Sequence, residues 1–251
     1  LSIRRQRQMC IRDSSSTAQI YTEQISGKVD KINSGSLELV SLAASSQNYY
    51  TSSPLGRYLT QQDILTRLQD RIRYVESSDL YFFYRTDSDE LLTALSNRPS
   101  TGSSYFWNQY LMLPPTQPAN TWFSVTCNGE TWLMCYYNVS QVRVGAAVRA
   151  KTLLQSLYAD TGLVQDSGFA LAGLDGTIVY SSQPDLMACG TRLAGHIPAS
   201  LIVESHTVPE VGTLLLFRPS SDLLHQLSGS FGWLLLLNLL ALALITTCLL
   251  Y

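Results

Sequence analysis

The sequence predicts an α+β fold in which a long N-terminal helix carries two successive helix-and-sheet modules, followed by a C-terminal transmembrane helix. Three observations predict it. Apolar and small residues recur at alternating steps of four and three within residues 17–48, two groups of short strands follow each other, and residues 231–250 form an apolar run without a charged side chain.

The first thirteen residues resemble a translated sequencing adapter and not a natural protein segment. The stretch "RRQRQMCIRD", Arg4 to Asp13, matches the in-frame translation of the transposase adapter used to build sequencing libraries. We therefore exclude residues 1–13 from the fold prediction. Because these residues include four arginines and one aspartate, the formal net charge of −2 for the whole sequence becomes −5 for residues 14–251. The remaining sequence has no basic patch that would favour nucleic acid or an anionic lipid surface as a partner.

Residues 14–229 have the composition of a folded, water-facing domain. Apolar and aromatic residues are frequent, charges are few, and Ser, Thr, Asn and Tyr are abundant. Such a hydrophobic content is too high for a disordered stalk. The length suits one large domain or two small ones.

Two helices are predicted first. The seam of the long helix, over residues 17–48, consists of Ile25, Val29, Ile32, Ser36, Leu39 and Ala43. Gly27 and Gly35 weaken it as an isolated helix, so it needs a packing partner. Thr60 with Asp63 three residues later predicts the start of a second helix. The predicted buried stripe of that helix is Ile64, Leu65, Leu68, Ile72 and Val75.

Strands of a larger module follow. Residues 80–85 and 90–95 flank the turn sequence "TDSD", and an aromatic helical segment, "YFWNQYLML", comes after them. Asn128-Gly129 between "TWFSVTC" and "ETWLMCYYN" is a strong hairpin signal, since both central residues of a type I′ turn need positive φ. The predicted register pairs Cys127 with Glu130. A strand over 141–148 and a short helix over 151–158 complete the module.

A shorter version of this pattern recurs before the apolar run. Residues 169–173 and 177–181 form a predicted hairpin around "LDG", and residues 201–207 and 213–218 supply two more strands. A helix over 221–227 leads into the predicted transmembrane segment, where only Asn238, Thr246 and Thr247 interrupt the apolar run.

This layout, together with "GFALAGLDGTIVYSS" ahead of a transmembrane helix, resembles the PAS-like double Cache sensor region of bacterial signal transducers. Within that group, the chain looks most like the sensor half of Gram-positive two-component histidine kinases. The resemblance covers residues 17–250. It divides the chain into a long helix (14–53), a membrane-distal Cache module (54–160), a smaller membrane-proximal module (161–229) and the transmembrane helix (230–251). It also implies an upstream transmembrane helix, parallel homodimerisation through the long helices, and a cytoplasmic output module.

The resemblance places a ligand pocket between the sheet and the inserted segment of the distal module. Pairing within the predicted hairpin puts Phe123, Val125 and Cys127 on the more apolar face, which we expect to pack on the long helix. The other face is mixed in polarity and predicts the pocket. Its candidate ligand-binding residues are Arg85, Trp107, Tyr110, Trp122, Ser124 and Tyr137. An ordinary core role for each aromatic residue stays open.

The ligand class is left open by these residues. The amino-acid-sensing branch of the family has an Arg close before a Trp and a Tyr in the inserted segment, and no Arg lies near Trp107 here. An amino-acid ligand is therefore not favoured. A sugar, a small neutral or weakly charged metabolite, or no small molecule remain alternatives.

No cofactor, metal site or catalytic motif is predicted. His196, His206 and His225 are scattered, the cysteines have no CxxC spacing, and GxSxG, Walker and GxGxxG motifs are absent from the sequence. Cys127 and Cys135 fall on opposite faces of the hairpin, so they cannot form a disulfide with each other.

The predicted function is therefore extracytoplasmic signal sensing by a membrane-anchored protein. Among such proteins, a two-component sensor histidine kinase is favoured, with its kinase core outside this fragment. A chemotaxis receptor, a diguanylate cyclase, and a membrane-anchored binding or adhesion protein are the alternatives. Residues 14–229 are expected outside the cytoplasm, with a small molecule or another extracellular stimulus as the partner.

Overall fold

The computed structural model describes residues 2–45, 53–75, 78–88, 90–95, 119–127, 129–159, 167–193, 198 and 200–220. Their helices are α1 (Ser2–Ser45), α2 (Pro54–Tyr74), α3 (Ala150–Leu153) and α4 (Gln155–Ala159). Their strands are β1 (Leu80–Arg85), β2 (Glu90–Leu95), β3 (Phe123–Cys127), β4 (Glu130–Val139), β5 (Val142–Arg149), β6 (Gly168–Gly173), β7 (Ile178–Ser181), β8 (Leu201–Val208) and β9 (Gly212–Pro219).

Helix α1 buries the seam that its sequence predicts. Every residue of that seam, from Ile25 to Ala43, is buried. The helix begins at Ser2, well before the predicted start at residue 17. Residues 2–26 contain neither glycine nor proline, so nothing in their sequence interrupts a helix that is already nucleated further along.

Helix α1 lies close to β1 because Gly35 has no side chain. A Cβ atom on Gly35 would lie 2.4 Å from the hydroxyl oxygen of Tyr81. That hydroxyl donates a hydrogen bond to the Ile32 carbonyl at 3.3 Å. A Cβ atom on Gly27 would meet nothing within 4 Å. The glycine at position 35 therefore serves the packing of helix against strand.

Helix α2 begins at an N-cap that the sequence analysis missed. Ser53 Oγ accepts a hydrogen bond from the Gly56 amide at 3.2 Å, and Pro54 occupies the first turn. The start predicted from Thr60 and Asp63 is wrong, because Thr60 lies inside the helix and donates to the Gly56 carbonyl at 2.9 Å. Ile64 and Leu68 are the most deeply buried residues of this helix.

The first sheet has five antiparallel strands in the order β2-β1-β5-β4-β3. The predicted hairpin register is confirmed, since Cys127 pairs with Glu130 and Phe123 with Met134. Gly129 in the turn has a φ of 77°. Residues 96–118, which connect the two outermost strands β2 and β3, lie outside the described residues.

The faces of the five-stranded sheet are the reverse of those predicted. Leu133 and Cys135 share one core cluster with residues of α1, whereas Met134 and Tyr136 belong to a separate cluster on the opposite face. The prediction that the face of Phe123 packs on the long helix is therefore wrong. Strand β5 explains the outcome: its sequence "VRVGAAVR" places its valines on one face and its arginines on the other, and α1 packs on the valines.

The second sheet has four antiparallel strands in the order β7-β6-β9-β8 and packs on the same helix. Leu171, Val208 and Leu214 are buried in the cluster that also contains Ile25 and Ile32 of α1. The long helix therefore contributes to one continuous core that includes both sheets.

Several predicted elements lie outside the described residues. They are the inserted aromatic segment at 105–113, the helix at 221–227 and the transmembrane helix at 231–250. Within the part of the chain that the structure describes, no helix combines the length and the apolar character needed to cross a bilayer.

Candidate functional site

Arg85, the predicted charged residue of the pocket, is held by its own hairpin. It is 4% exposed and ends β1. Its guanidinium makes a bidentate contact with Asp87 in the following turn, with Nε to Oδ1 at 3.2 Å and Nη2 to Oδ2 at 3.1 Å. The alternation of β1 puts Arg85 on the face of Phe83, which packs towards the helices.

Trp122, Ser124 and Tyr137 lie on that same helix-side face. Trp122 is buried, and its indole N–H donates to Asn33 Oδ1 of α1 at 3.2 Å. Ser124 is exposed and Tyr137 is half-buried. Burial, with a smaller contribution from the nearby Cys135 and Glu210, raises the pKa of Tyr137 to about 12. The prediction that these residues share a face is confirmed, but α1 packs against much of that face.

The structure brings two of the predicted residues together in a cavity. Trp122 and Ser124 line a space of about 280 Å³ between the two sheets. Neither Arg85 nor Tyr137 lines it, and Trp107 and Tyr110 lie outside the described residues. We call this space the junction cavity; its lining consists of Thr121, Trp122, Phe123, Ser124, Leu133, Gly173, Leu174, Asp175 and Val211.

A chain of hydrogen bonds runs beside the junction cavity. Asn33 of α1 accepts from the Trp122 indole at 3.2 Å and donates through Nδ2 to Glu210 Oε2 at 2.6 Å. Glu210 lies in the turn between β8 and β9, with a φ of 66°. One amide side chain on the long helix thus links the two sheets.

The opposite side of the five-stranded sheet, which we call the outer face, carries a second group of candidate residues. Its buried cluster consists of Leu80, Phe82, Tyr84, Trp132, Met134, Tyr136 and Ala147, with Phe123 packed against it. The guanidinium carbon of Arg143 lies 5.9 Å from the Tyr84 ring centroid and 6.0 Å from that of Tyr136. Both distances fall within the range of cation–π contacts.

A second arginine on the outer face is engaged by a buried carboxylate. Arg149 lies 5.7 Å from the Trp132 ring centroid. Asp79, 4% exposed, accepts from Arg149 Nη2 at 2.6 Å, from Nε at 3.2 Å and from the Arg149 backbone amide at 2.8 Å. The hydrogen bond to Asp79 is the main cause that raises the pKa of Arg149. This pair fixes the segment before β1 to the end of β5.

Solved structures provide the comparison for this architecture; no protein-family model matches the sequence, and no curated protein does. The periplasmic sensory domain of the Campylobacter jejuni chemoreceptor Tlp1 matches with a TM-score of 0.50 and 8% identity, covering 82% of this chain and 92% of that chain. The ligand-binding domain of the Pseudomonas aeruginosa PAO1 amino acid chemoreceptor PctB, in complex with L-Arg, matches with a TM-score of 0.50 and 15% identity, over 86% and 92%. Methyl-accepting chemotaxis protein X matches with a TM-score of 0.52 and 10% identity, over 86% and 98%.

The fold is that of a periplasmic sensory domain. The resemblance to Cache-type sensor regions that the sequence predicts is thereby confirmed for the fold. The same fold can serve different functions, so the function of this chain depends on the side chains at its site.

The outer face combines a guanidinium with aromatic rings, most of which are buried. Aromatic rings, two phenol groups and a planar guanidinium can stack on a small molecule and hydrogen-bond to its polar or acidic end. Burial raises the pKa of Tyr136 and Arg143 opposes that shift, so the phenol is kept as a hydrogen-bond donor at neutral pH. Within the described ranges no three His, Cys, Asp or Glu side chains are placed to hold a metal ion.

Tyr84, Tyr136 and Arg143 on the outer face are not among the residues predicted from the sequence. Tyr84 and Tyr136 are the chain neighbours of the predicted Arg85 and Tyr137, and neighbouring residues of a strand point to opposite faces of the sheet. The alternation of arginine and valine in β5 was the signal that could have identified the correct face.

Proposed function

We propose that the chain is the extracytoplasmic sensory domain of a membrane signalling protein and that its stimulus is a small molecule. The observation that carries the proposal is the arrangement of two antiparallel sheets on one long helix, shared with periplasmic sensory domains over more than four fifths of this chain. The uncharged run at 231–250, predicted to cross the membrane, supports the same function.

The ligand site proposed for this sensor is the outer face. The guanidinium of Arg143 lies against the buried rings of Tyr84 and Tyr136, so a cation and two phenol groups lie together in an aromatic cluster. This set favours a ligand with a carboxylate or another polar acceptor group. The PctB domain was solved in complex with L-Arg, which makes amino acids reasonable members of a first test panel.

The six residues predicted from the sequence enter the proposal differently. Trp107 and Tyr110 stay predicted contributors to the ligand site. Trp122 and Ser124 are kept as lining residues of the junction cavity. Arg85 and Tyr137 are not part of the proposed ligand site, which contains their chain neighbours Tyr84 and Tyr136 instead.

A direct test measures ligand binding to the full chain in lipid nanodiscs. A panel of amino acids, short dicarboxylates and monosaccharides would be screened by thermal shift, and the affinity of any active compound measured by calorimetry. Arg143→Gln and Tyr136→Phe should weaken binding roughly tenfold or more, because a charged or buried hydrogen bond is lost. Arg67→Gln, at an exposed arginine on α2, is the matched control. Equal losses in Arg143→Gln and Arg67→Gln would refute the site.

The output of the sensor is proposed to be a two-component histidine kinase, in line with the resemblance seen in the sequence. A chemoreceptor is the second candidate, favoured by the chemotaxis proteins among the matching structures. The coding sequence downstream of codon 251 distinguishes them: a phosphoacceptor histidine with an ATP-binding domain indicates the kinase, and a long methyl-accepting coiled coil indicates the chemoreceptor.

Homodimerisation through α1 is part of the proposal. Ile20 and Leu37 on that helix are each 53% exposed in the single chain. Light scattering on nanodisc-embedded chain should give twice the monomer mass, and Leu37→Glu should shift the population towards the monomer. A wild-type mass equal to that of a monomer would contradict dimerisation.

A further inference from the structure

The junction cavity has walls from both modules. One wall comes from the start of β3, with Trp122 and Ser124, and the other from the β6–β7 turn, with Leu174 and Asp175. Its volume of about 280 Å³ lies near the lower limit of small-molecule pockets, about 300 Å³. A ligand that fits it must therefore be small, and it would touch both modules at once.

A single carboxylate gives the described lining of the junction cavity its charge. Asp175 is the one charged residue among its lining residues. The carboxylate is fixed by Thr177, which donates from its backbone amide at 3.0 Å and from Oγ1 at 2.8 Å. A carboxylate accepts about four hydrogen bonds, so Asp175 keeps acceptor capacity beyond the two that Thr177 provides.

An arginine and a second carboxylate lie near the lining of the junction cavity. Arg192 acts electrostatically on Asp175 but does not line the cavity. Glu210 adds a second carboxylate next to the lining residue Val211. Asp175 is exposed and is the one charged residue of the described lining, so an anionic ligand would meet a like charge there.

The remaining lining suits a short hydrocarbon chain. Trp122, Leu133 and Val211 are buried apolar side chains, while Ser124 and Thr121 contribute hydroxyl groups. An indole ring also attracts cations through its face. The cavity thus combines one carboxylate, hydroxyl groups and an apolar wall, which together match a small alkyl ammonium ion.

We propose that the junction cavity is a second ligand site, separate from the outer face, and that it binds a small primary amine in its protonated form. The ammonium group donates to Asp175, and the alkyl part packs against Trp122 and Leu133. Because both modules contribute to the site, the amine binds most tightly to the arrangement in which they lie close together, and its binding favours that arrangement.

The test uses three probes of equal size and different charge: n-butylamine, n-butanol and butyrate. Each is titrated at millimolar concentration onto the full chain in nanodiscs, with binding measured by calorimetry and by thermal shift. The amine should raise the melting temperature, and the alcohol and the acid should not. Asp175→Asn keeps an acceptor for Thr177 and removes the charge, so amine affinity should fall roughly tenfold or more.

Two control variants and a second variant of the cavity make the outcome decisive. Asp185→Asn removes an exposed charge of the same module outside the cavity and should bind the amine as wild type does. Ser124→Leu narrows the cavity without touching the turn of Asp175 and should also abolish binding. Arg143→Gln on the outer face should leave amine binding intact. Equal responses to butylamine and butanol, or loss of the amine response in Arg143→Gln with retention in Asp175→Asn, would overturn the proposal.

Discussion

Gly212 shows how a single residue fixes the β8–β9 hairpin. Its φ is +146°, and a Cβ atom there would lie 2.0 Å from the Ala172 carbonyl oxygen on β6. Both the backbone conformation and the space require glycine. The residue begins β9 opposite Gly173, and the hairpin it shapes carries Glu210 towards Asn33.

Replacing Gly212 with alanine should destabilise the protein by about 3 kcal/mol or more, because the strained backbone and the clash with Ala172 add together. Gly176→Ala is the matched control in the same module. Gly176 has a φ of +75°, but its Cβ would meet nothing within 4 Å, so a cost of about 1 kcal/mol is expected. Urea unfolding of the two variants measures the difference, and equal costs would contradict the steric argument.

Two buried ionisable groups, the Tyr81 phenol and the Cys135 thiol, predict a loss of stability at alkaline pH. Burial raises the pKa of Tyr81 and that of Cys135 to about 12 each. The unfolded chain deprotonates these groups from about pH 9 to pH 10, whereas the folded chain keeps the protons. Above that pH the unfolded state binds fewer protons, so the free energy of unfolding falls as the pH rises towards 12.

Tyr81→Phe and Cys135→Ala should each flatten this dependence when urea midpoints are compared between about pH 8 and about pH 11. Tyr74→Phe is the control, since that tyrosine is 80% exposed, and it should keep the wild-type slope. If the free energy of unfolding of both core variants fell with pH as steeply as that of the wild type, other groups would be responsible for the loss of stability at alkaline pH.

Strand β5 shows which features of the elements could be predicted from sequence. The strand limits and the hairpin register follow from local signals, namely alternation and the Asn-Gly turn, and both agree with the structure. Which face of the sheet packs on the helix depends on the side chains of all five strands together. The β3–β4 hairpin alone does not contain enough of these side chains to predict that face. Ser53 as a helix cap was missed for a related reason, because a weaker capping pattern stands only seven residues later.

Helix α1 offers a matched pair of glycines for testing how it packs. Gly27→Ala should stabilise the protein by about 0.5–1 kcal/mol, since the position is sterically open. Gly35→Ala should destabilise it by about 1–3 kcal/mol, since the new methyl group meets the Tyr81 hydroxyl in a packed core. Thermal unfolding by circular dichroism measures both changes.

A double-mutant cycle checks the cause of the second effect. In a Tyr81→Phe background the hydroxyl is absent, so Gly35→Ala should cost less than it does in the wild type. If Gly35→Ala destabilised the Tyr81→Phe variant as much as the wild type, the contact with the Tyr81 hydroxyl would not be the cause of the destabilisation.

The whole molecule depends on one helix that serves two sheets. Side chains of α1 reach into the core shared by both modules, and Asn33 joins Trp122 on one side to Glu210 on the other. On this side α1 covers β4 and β5 of the first sheet and β8 of the second, and α2 covers β1 and β2. A displacement in one module can therefore reach the other through a continuous core and a continuous hydrogen-bond chain.

Asn33→Ala should loosen both modules at once. Hydrogen exchange is expected to accelerate together in the β3–β4 and β8–β9 hairpins, because both partners of the amide lose their hydrogen bonds. Asn138→Ala, at an exposed asparagine of β4, is the control and should affect at most its own strand. Acceleration confined to one hairpin in the Asn33 variant would show that the amide does not couple them.

The reversed faces of the five-stranded sheet also determine which substitutions could change the proposed ligand specificity. The side that meets α1 is constrained by helix packing, and a substitution there risks the whole globule. Tyr84 and Tyr136 lie in the buried cluster on the opposite side of the sheet, and Arg143 lies against their rings. On this proposed ligand site a substitution at Arg143 leaves the packing on α1 as it is, whereas one at the buried Tyr84 or Tyr136 also perturbs the second core cluster.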